Sequence, residues 1–212
     1  MADAKFSTEP DAYLKLSRIA QDAGLESEAA QAMLEAVLRG RGPLPLYSQI
    51  KPLVEWLFKQ GRENSLLKVC AIYLMFEPGN PVLLTQYAYL ACLTGLVEPA
   101  AVLKAVKPLA EFLPEALPVQ CVLAVAHLCN GEAVAALAVL DRFKVDLDQL
   151  APGYRATFLA TLVLNHRIEP EDPRITGFPW QTLMPSERKR FGEWLKAGAT
   201  AAAAPDAIPP EK

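Results

Sequence analysis

Four glycines, Gly24, Gly61, Gly95 and Gly131, recur at intervals of 37, 34 and 36 residues, and each lies between two stretches whose apolar residues return every three or four positions. That spacing is the mark of amphipathic helices, and a glycine between two of them supplies the backbone freedom that a tight helix-to-helix connection needs. The interval is that of a repeated helix hairpin, so the chain is expected to build its core by stacking copies of one unit. Sustained period-two alternation is absent, and strands are not expected. Apolar residues make up 52% of the 212 residues and charged ones 21%, enough to bury a core, and a net charge of −3 offers no general attraction to nucleic acid.

Each glycine is preceded, eight and seven residues earlier, by a larger residue and then a smaller one: Leu16-Ser17, Leu53-Val54, Tyr87-Ala88 and Leu123-Ala124. Five residues after it stands Ala29, Leu66, Ala100 or Ala136, placed to face the smaller member across the hairpin. This order resembles the tetratricopeptide repeat family over roughly residues 9–148, with the best spacing from Gly61 to Pro78 and Pro78-Gly79-Asn80-Pro81 similar to the family's inter-repeat linker. The closing proline comes late at Pro43 and Pro114, and the family's signature tryptophan is missing from every unit. The resemblance implies an all-α fold: a right-handed α-solenoid of about four hairpins with a capping helix and a C-terminal helix.

Most of the 18 prolines fall at helix starts or in connections. Pro52 and Pro108 lie inside periodic segments, where the missing donor predicts a late helix start near Pro52 and a kink or early stop at Pro108. Three regions are expected: repeats over 1–148; a capping helix (Tyr154 to His166), a proline-rich aromatic segment (Phe178 to Met184) and a last helix to about Lys196 over 149–196; and an Ala/Pro-rich tail over 197–212. Ser186 is the expected N-cap of the last helix, with Lys189 at the capping-box position.

The first residues, Met1 to Phe6, show no export signal. Cys70, Cys92, Cys121 and Cys129 lie in apolar runs without a Cys-x-x-Cys pair, and are read as reduced core residues of a cytoplasmic protein. Pro78 to Val97 is a 20-residue uncharged stretch, but its polar residues and acidic flanks Glu77 and Glu98 favour a buried helix over membrane insertion. His127 and His166 do not share a face with cysteines in a way that suggests a metal site. No HExxH, phosphate-binding glycine loop or GxSxG occurs, and Glu169, Glu171, Asp172 and Arg174 read as a solvated loop; neither enzymatic activity nor a cofactor is expected. The basic run Arg188-Lys189-Arg190 beside Phe191 and Trp194 reads as a charged helix face, and no nucleic acid partner is expected.

The resemblance places a concave groove on the first helix of each unit. Its positions here are Leu14, Arg18 and Gln21; Lys51, Glu55 and Lys59; Thr85, Tyr89 and Cys92; and Cys121, Val125 and Leu128. The groove so drawn is polar at one end and apolar at the other. Its lysines suit a carboxylate of a protein or peptide segment and Tyr89 a rigid anchor, although Lys51, Glu55 and Lys59 also read as ordinary i,i+4 pairs. Cys121, Val125 and Leu128 laid bare would form a patch that needs a cover. The chain's own capping helix (Tyr154 to His166) and the segment from Phe178 to Met184 are expected to cover part of it, with a partner or a second copy in a homo-oligomer as the alternatives. The expected role is a non-catalytic adaptor, scaffold or assembly factor.

Overall fold

A computed structural model describes residues 10–40 and 45–202, and all regular structure among them is helical. The expectations for Met1 to Phe6, for Pro43 and for residues 203–212 lie outside the described residues. The chain divides into two compact units, Met1–Leu83 and Leu84–Lys212.

Unit 1 contains α1 (Pro10–Asp22), α2 (Glu26–Arg39), α3 (Tyr47–Lys59) and α4 (Glu63–Phe76). Helix α2 packs on α1, α3 and α4, and α3 on α4. Leu34, Ile50, Leu53, Leu57, Leu66, Tyr73 and Leu83 are its largest fully buried side chains. Helix α5 (Pro81–Thr94) begins at the boundary, where Asn80 caps it: Oδ1 accepts the N–H groups of Val82 (3.1 Å) and Leu83 (3.2 Å), with Pro81 at the first helical position.

Unit 2 continues with α6 (Pro99–Phe112), α7 (Leu117–Cys129), α8 (Ala133–Leu140), α9 (Pro152–Leu164), the single turn α10 (Pro173–Thr176) and α11 (Pro185–Ala202). Helix α7 packs on α6, α8 and α9, and α9 on α8 and α11. Cys121, Leu128, Leu159, Phe178, Leu183 and Phe191 belong to one buried cluster here.

The four glycines adopt left-handed backbone, with φ of 71°, 61°, 70° and 77° at Gly24, Gly61, Gly95 and Gly131. Each donates its N–H to the carbonyl three residues back, and the following residue donates to the carbonyl five residues behind it, as in Gly24 to Gln21 (3.0 Å) and Leu25 to Ala20 (2.8 Å). This paired closure satisfies the carbonyls that a helix end leaves open. A fifth copy stands 35 residues after Gly131: His166 at φ 54° bonds to Val163 (2.9 Å), and Arg167 to Leu162 (2.9 Å). The expected capping helix therefore ends in the same turn as the four hairpins, with histidine in place of glycine.

Across the first hairpin, Ser17 Oγ donates to the carbonyl of Ala29 at 2.9 Å, a direct contact between the expected facing positions. Val54, Leu66, Ala124 and Ala136 are buried as well, whereas Ala100, expected to face Ala88, is exposed.

The late start near Pro52 and the early stop at Pro108 are corrected. Helix α3 starts at Tyr47, five residues before Pro52, and α6 runs four residues past Pro108. An interior proline costs about 3 kcal/mol, but burying an aliphatic side chain contributes about 1.5–3 kcal/mol, and Ile50, Leu53, Val54 and Leu57 of α3 are all buried. Packing on both sides of the exposed Pro52 outweighs the missing donor. The N-cap expected at Ser186 is corrected too, since Ser186 lies inside the helix. Pro185 is the first helical residue of α11, which makes Glu187 the third, and its Oε2 accepts the N–H of Met184 at 2.7 Å. Helix α3 opens in the same way, the Gln49 side chain accepting the N–H of Leu46 at 2.9 Å. Helix α11 also continues beyond Lys196, to Ala202.

A Cβ added at Gly131 meets nothing within 4 Å, so Gly131→Ala carries the backbone strain alone and is expected to destabilise by about 1 kcal/mol. His166→Gly is expected to stabilise by about 0.5–1 kcal/mol, the relieved strain exceeding glycine's entropy in the unfolded chain. Urea unfolding of the two variants beside the unsubstituted protein checks both signs.

Candidate functional site

The polar half of the expected groove lies in unit 1 and is open. Arg18, Gln21, Lys51, Glu55 and Lys59 are exposed and Leu14 is half-buried. Gln21 from α1 and Glu55 and Lys59 from α3 line one pocket of about 370 Å³, whose wall also includes Ala30 and Met33 of α2 and Trp56 of α3. Arg18 and Lys51 do not line it. Lys51 Nζ lies 3.9 Å from Glu55 Oε1, with the two side chains 64% and 57% exposed. A pair that open contributes at most about 0.5 kcal/mol, so Glu55 is readily available to another donor.

Trp56 is held by position rather than by hydrogen bonding. The Arg62 guanidinium stacks 5.5 Å from its ring centroid and is itself fixed by a 2.8 Å bond to Gln31 Oε1. Its indole N–H is buried and has no acceptor among the described residues.

The apolar half of the groove is corrected. Thr85, Tyr89, Cys92, Cys121, Val125 and Leu128 are all buried and line no open surface. Within unit 2, Cys121 and Leu128 share a cluster with Phe178, Leu183 and Phe191, so the C-terminal segment covers part of the face that needed a cover. Phe178 and Trp180 pack with ring centroids 4.6 Å apart and planes tilted by 49°, and the Trp180 indole donates to the Ile175 carbonyl at 3.2 Å.

Tyr89 is spent inside the unit. Its hydroxyl donates to Glu187 Oε1 at 2.7 Å, and Glu187 is 2% exposed while its second oxygen takes the Met184 N–H. Burial first, and the carboxylate second, hold the Tyr89 phenol well above its ordinary range. Gly153 sits against this pair, and a Cβ there would collide with both Glu187 Oε1 and the Tyr89 oxygen. The link from α5 to the start of α11 joins residues 98 apart in sequence, a separation no local pattern reports.

The remaining polar candidates have structural duties. His127 is partly buried, and its Nδ1 lies 2.6 Å from Glu132 Oε2 across the Gly131 turn. Asp172 caps α10, accepting the Arg174 N–H at 2.8 Å, and the Arg174 side chain beside it holds its carboxyl at about 2. Among the described residues no group of three or more His, Cys, Asp or Glu converges as a metal site, and no helix is long and apolar enough to cross a membrane. A second hollow, of about 740 Å³, lies in unit 2 between α6, α7 and α8, with Lys104, Lys107 and Arg142 on its wall. No sequence signal marks it, because α6 and α8, as second helices of their hairpins, carry no expected groove positions.

Comparison with protein-family models, with curated proteins and with solved structures finds no match for this chain.

Tyr89→Phe removes a hydrogen bond to a buried carboxylate and is expected to destabilise unit 2 by about 1.5–3 kcal/mol. The folded phenol keeps its proton while the unfolded one loses it near its ordinary value of 10. Its contribution is therefore complete below pH 10 and is lost as pH rises from there towards the raised folded value. Urea unfolding at a series of alkaline pH values is expected to show a shallower loss of stability for Tyr89→Phe. Limited proteolysis should leave 175–195 uncut for as long as the rest of unit 2 survives; early cleavage there, with the helices intact, would contradict the cover.

Proposed function

We propose that the protein is a non-catalytic interaction module that takes up a protein segment on the α1/α3 surface of unit 1, as an adaptor, scaffold or assembly factor of the cytoplasm. The observation that carries this reading is the pocket that unites Gln21, Glu55 and Lys59 on the first helices of two successive hairpins. Its floor of alanine, methionine and tryptophan suits an apolar side chain, while the lysine and the glutamine amide suit a carbonyl or carboxylate and Glu55 a backbone N–H. The recurrent left-handed turns and the serine-to-carbonyl contact across the first hairpin support a tetratricopeptide-like solenoid as the scaffold for this surface.

Selection of displayed random peptides on the whole protein, followed by fluorescence anisotropy, tests the reading. Selected peptides are expected to lose at least about tenfold in affinity, roughly 1.4 kcal/mol, when Glu55→Lys and Lys59→Glu are combined. They should retain it with Lys107→Glu in the unit 2 hollow. Peptides that respond to Lys107→Glu and ignore the charge swap would move the binding surface to unit 2, and a selection that yields no binder would count against the module.

A further inference from the structure

We infer that Cys92 and Cys129 form an oxidation site, in which a peroxide converts the two thiols into a disulfide that ties α5 to α7. The inference is independent of the unit 1 surface and rests on how unit 2 places the two side chains. Cys92 lies in the last turn of α5 and is 1% exposed; Cys129 is the last residue of α7 and is partly exposed. The Cys129 thiol donates to the Cys92 carbonyl oxygen, with Sγ 3.6 Å from it, which sets the side chain of one cysteine directly against the backbone of the other. Arg190 of α11 reaches the carbonyl of Leu93, next to Cys92, with Nε at 3.4 Å, while its Nη1 pairs with Glu193 at 3.3 Å.

These neighbours divide the pair into unequal partners. The hydrogen bond from Cys92, then the Arg190 guanidinium, draw the Cys129 thiol below its ordinary range, against burial and the Glu193 carboxylate; the same bond and burial push Cys92 up. Cys129 is thus both the accessible sulfur and the one that releases its proton, the combination that makes a cysteine react. Cys70 and Cys121 are fully buried, and burial pushes each up to about 12.

The chemistry closes on these two residues. Cys129 sulfur attacks one peroxide oxygen; the S–O bond forms, the O–O bond breaks, and the leaving oxygen departs as water with the thiol proton. Cys92 sulfur then attacks Cys129 sulfur; the S–S bond forms, the S–O bond breaks, and the hydroxyl leaves as water with the Cys92 proton. Two thiols are oxidised and one hydrogen peroxide is reduced to two waters.

The whole protein is treated with hydrogen peroxide, its remaining thiols are blocked with N-ethylmaleimide in denaturant, and the unreduced peptides are mapped by mass spectrometry. The expected result is a loss of two hydrogens per chain, a linked Cys92–Cys129 peptide, and recovery of both thiols with dithiothreitol. Cys92→Ala is expected to stop at a Cys129 sulfenic acid that dimedone captures. Overoxidation of Cys129 while Cys92 stays a free thiol, a disulfide joining any other pair, or a link between two chains would each overturn the inference. Because the mapping is made on the unsubstituted chain, it stands even if the variant fails to fold.

Discussion

Everything in this fold hangs on a chain reversal in which one residue is forced into left-handed backbone while the two N–H groups that follow the helix close back onto its last turn. A helix end buried against a neighbour must satisfy its open carbonyls. Closing them within the turn leaves the next helix free to fold straight back. Ser17 and Ala29, twelve residues apart, then come within hydrogen-bond distance of each other. The glycine spacing, the small residues and the antiparallel packing are one requirement seen at three scales.

Unit 2 has a further requirement, because its α7 is buried nearly all round. Helices of that kind need neighbours on every side, and α6, α8 and α9 supply them together with the aromatic segment between α10 and α11. The cover is secured by a buried carboxylate, and a buried carboxylate is tolerated only with donors on it. Glu187 has the Tyr89 hydroxyl on one oxygen and the Met184 N–H on the other. One side chain therefore starts a helix and fastens it down.

What the sequence disclosed and what it hid follow from the range of the interactions concerned. The four glycine turns were legible because only glycine enters left-handed backbone without strain, so the requirement is written in residue identity. The fifth was not, because His166 accepts that strain and leaves no mark. Pro52 misled because its local cost is real but smaller than the burial of Ile50, Leu53, Val54 and Leu57, which depends on helices elsewhere in the chain. The site divides in the same way. Gln21, Glu55 and Lys59 were placed by the resemblance, which needs only the position of each residue on the first helix of its unit. Tyr89, Cys121, Val125 and Leu128 have the register of groove residues, yet what lies over Tyr89 is a carboxylate 98 positions away. Glu187 itself was overlooked because an N-cap at Ser186 makes it the first helical residue, whereas the start at Pro185 makes it the third, where its function becomes visible.

That separation has a consequence for the order of events in a growing chain. Loop closure grows as (3/2)RT ln n, so joining residues 98 apart costs about 2 kcal/mol more than joining residues 12 apart, as Ser17 and Ala29 are. The hairpins can form as they emerge during synthesis, while Tyr89 waits for nearly a hundred further residues before its carboxylate exists. Until then the face destined for Phe178, Leu183 and Phe191 is wet and adhesive, and the ribosome-bound intermediate is the form of this protein most in need of a chaperone.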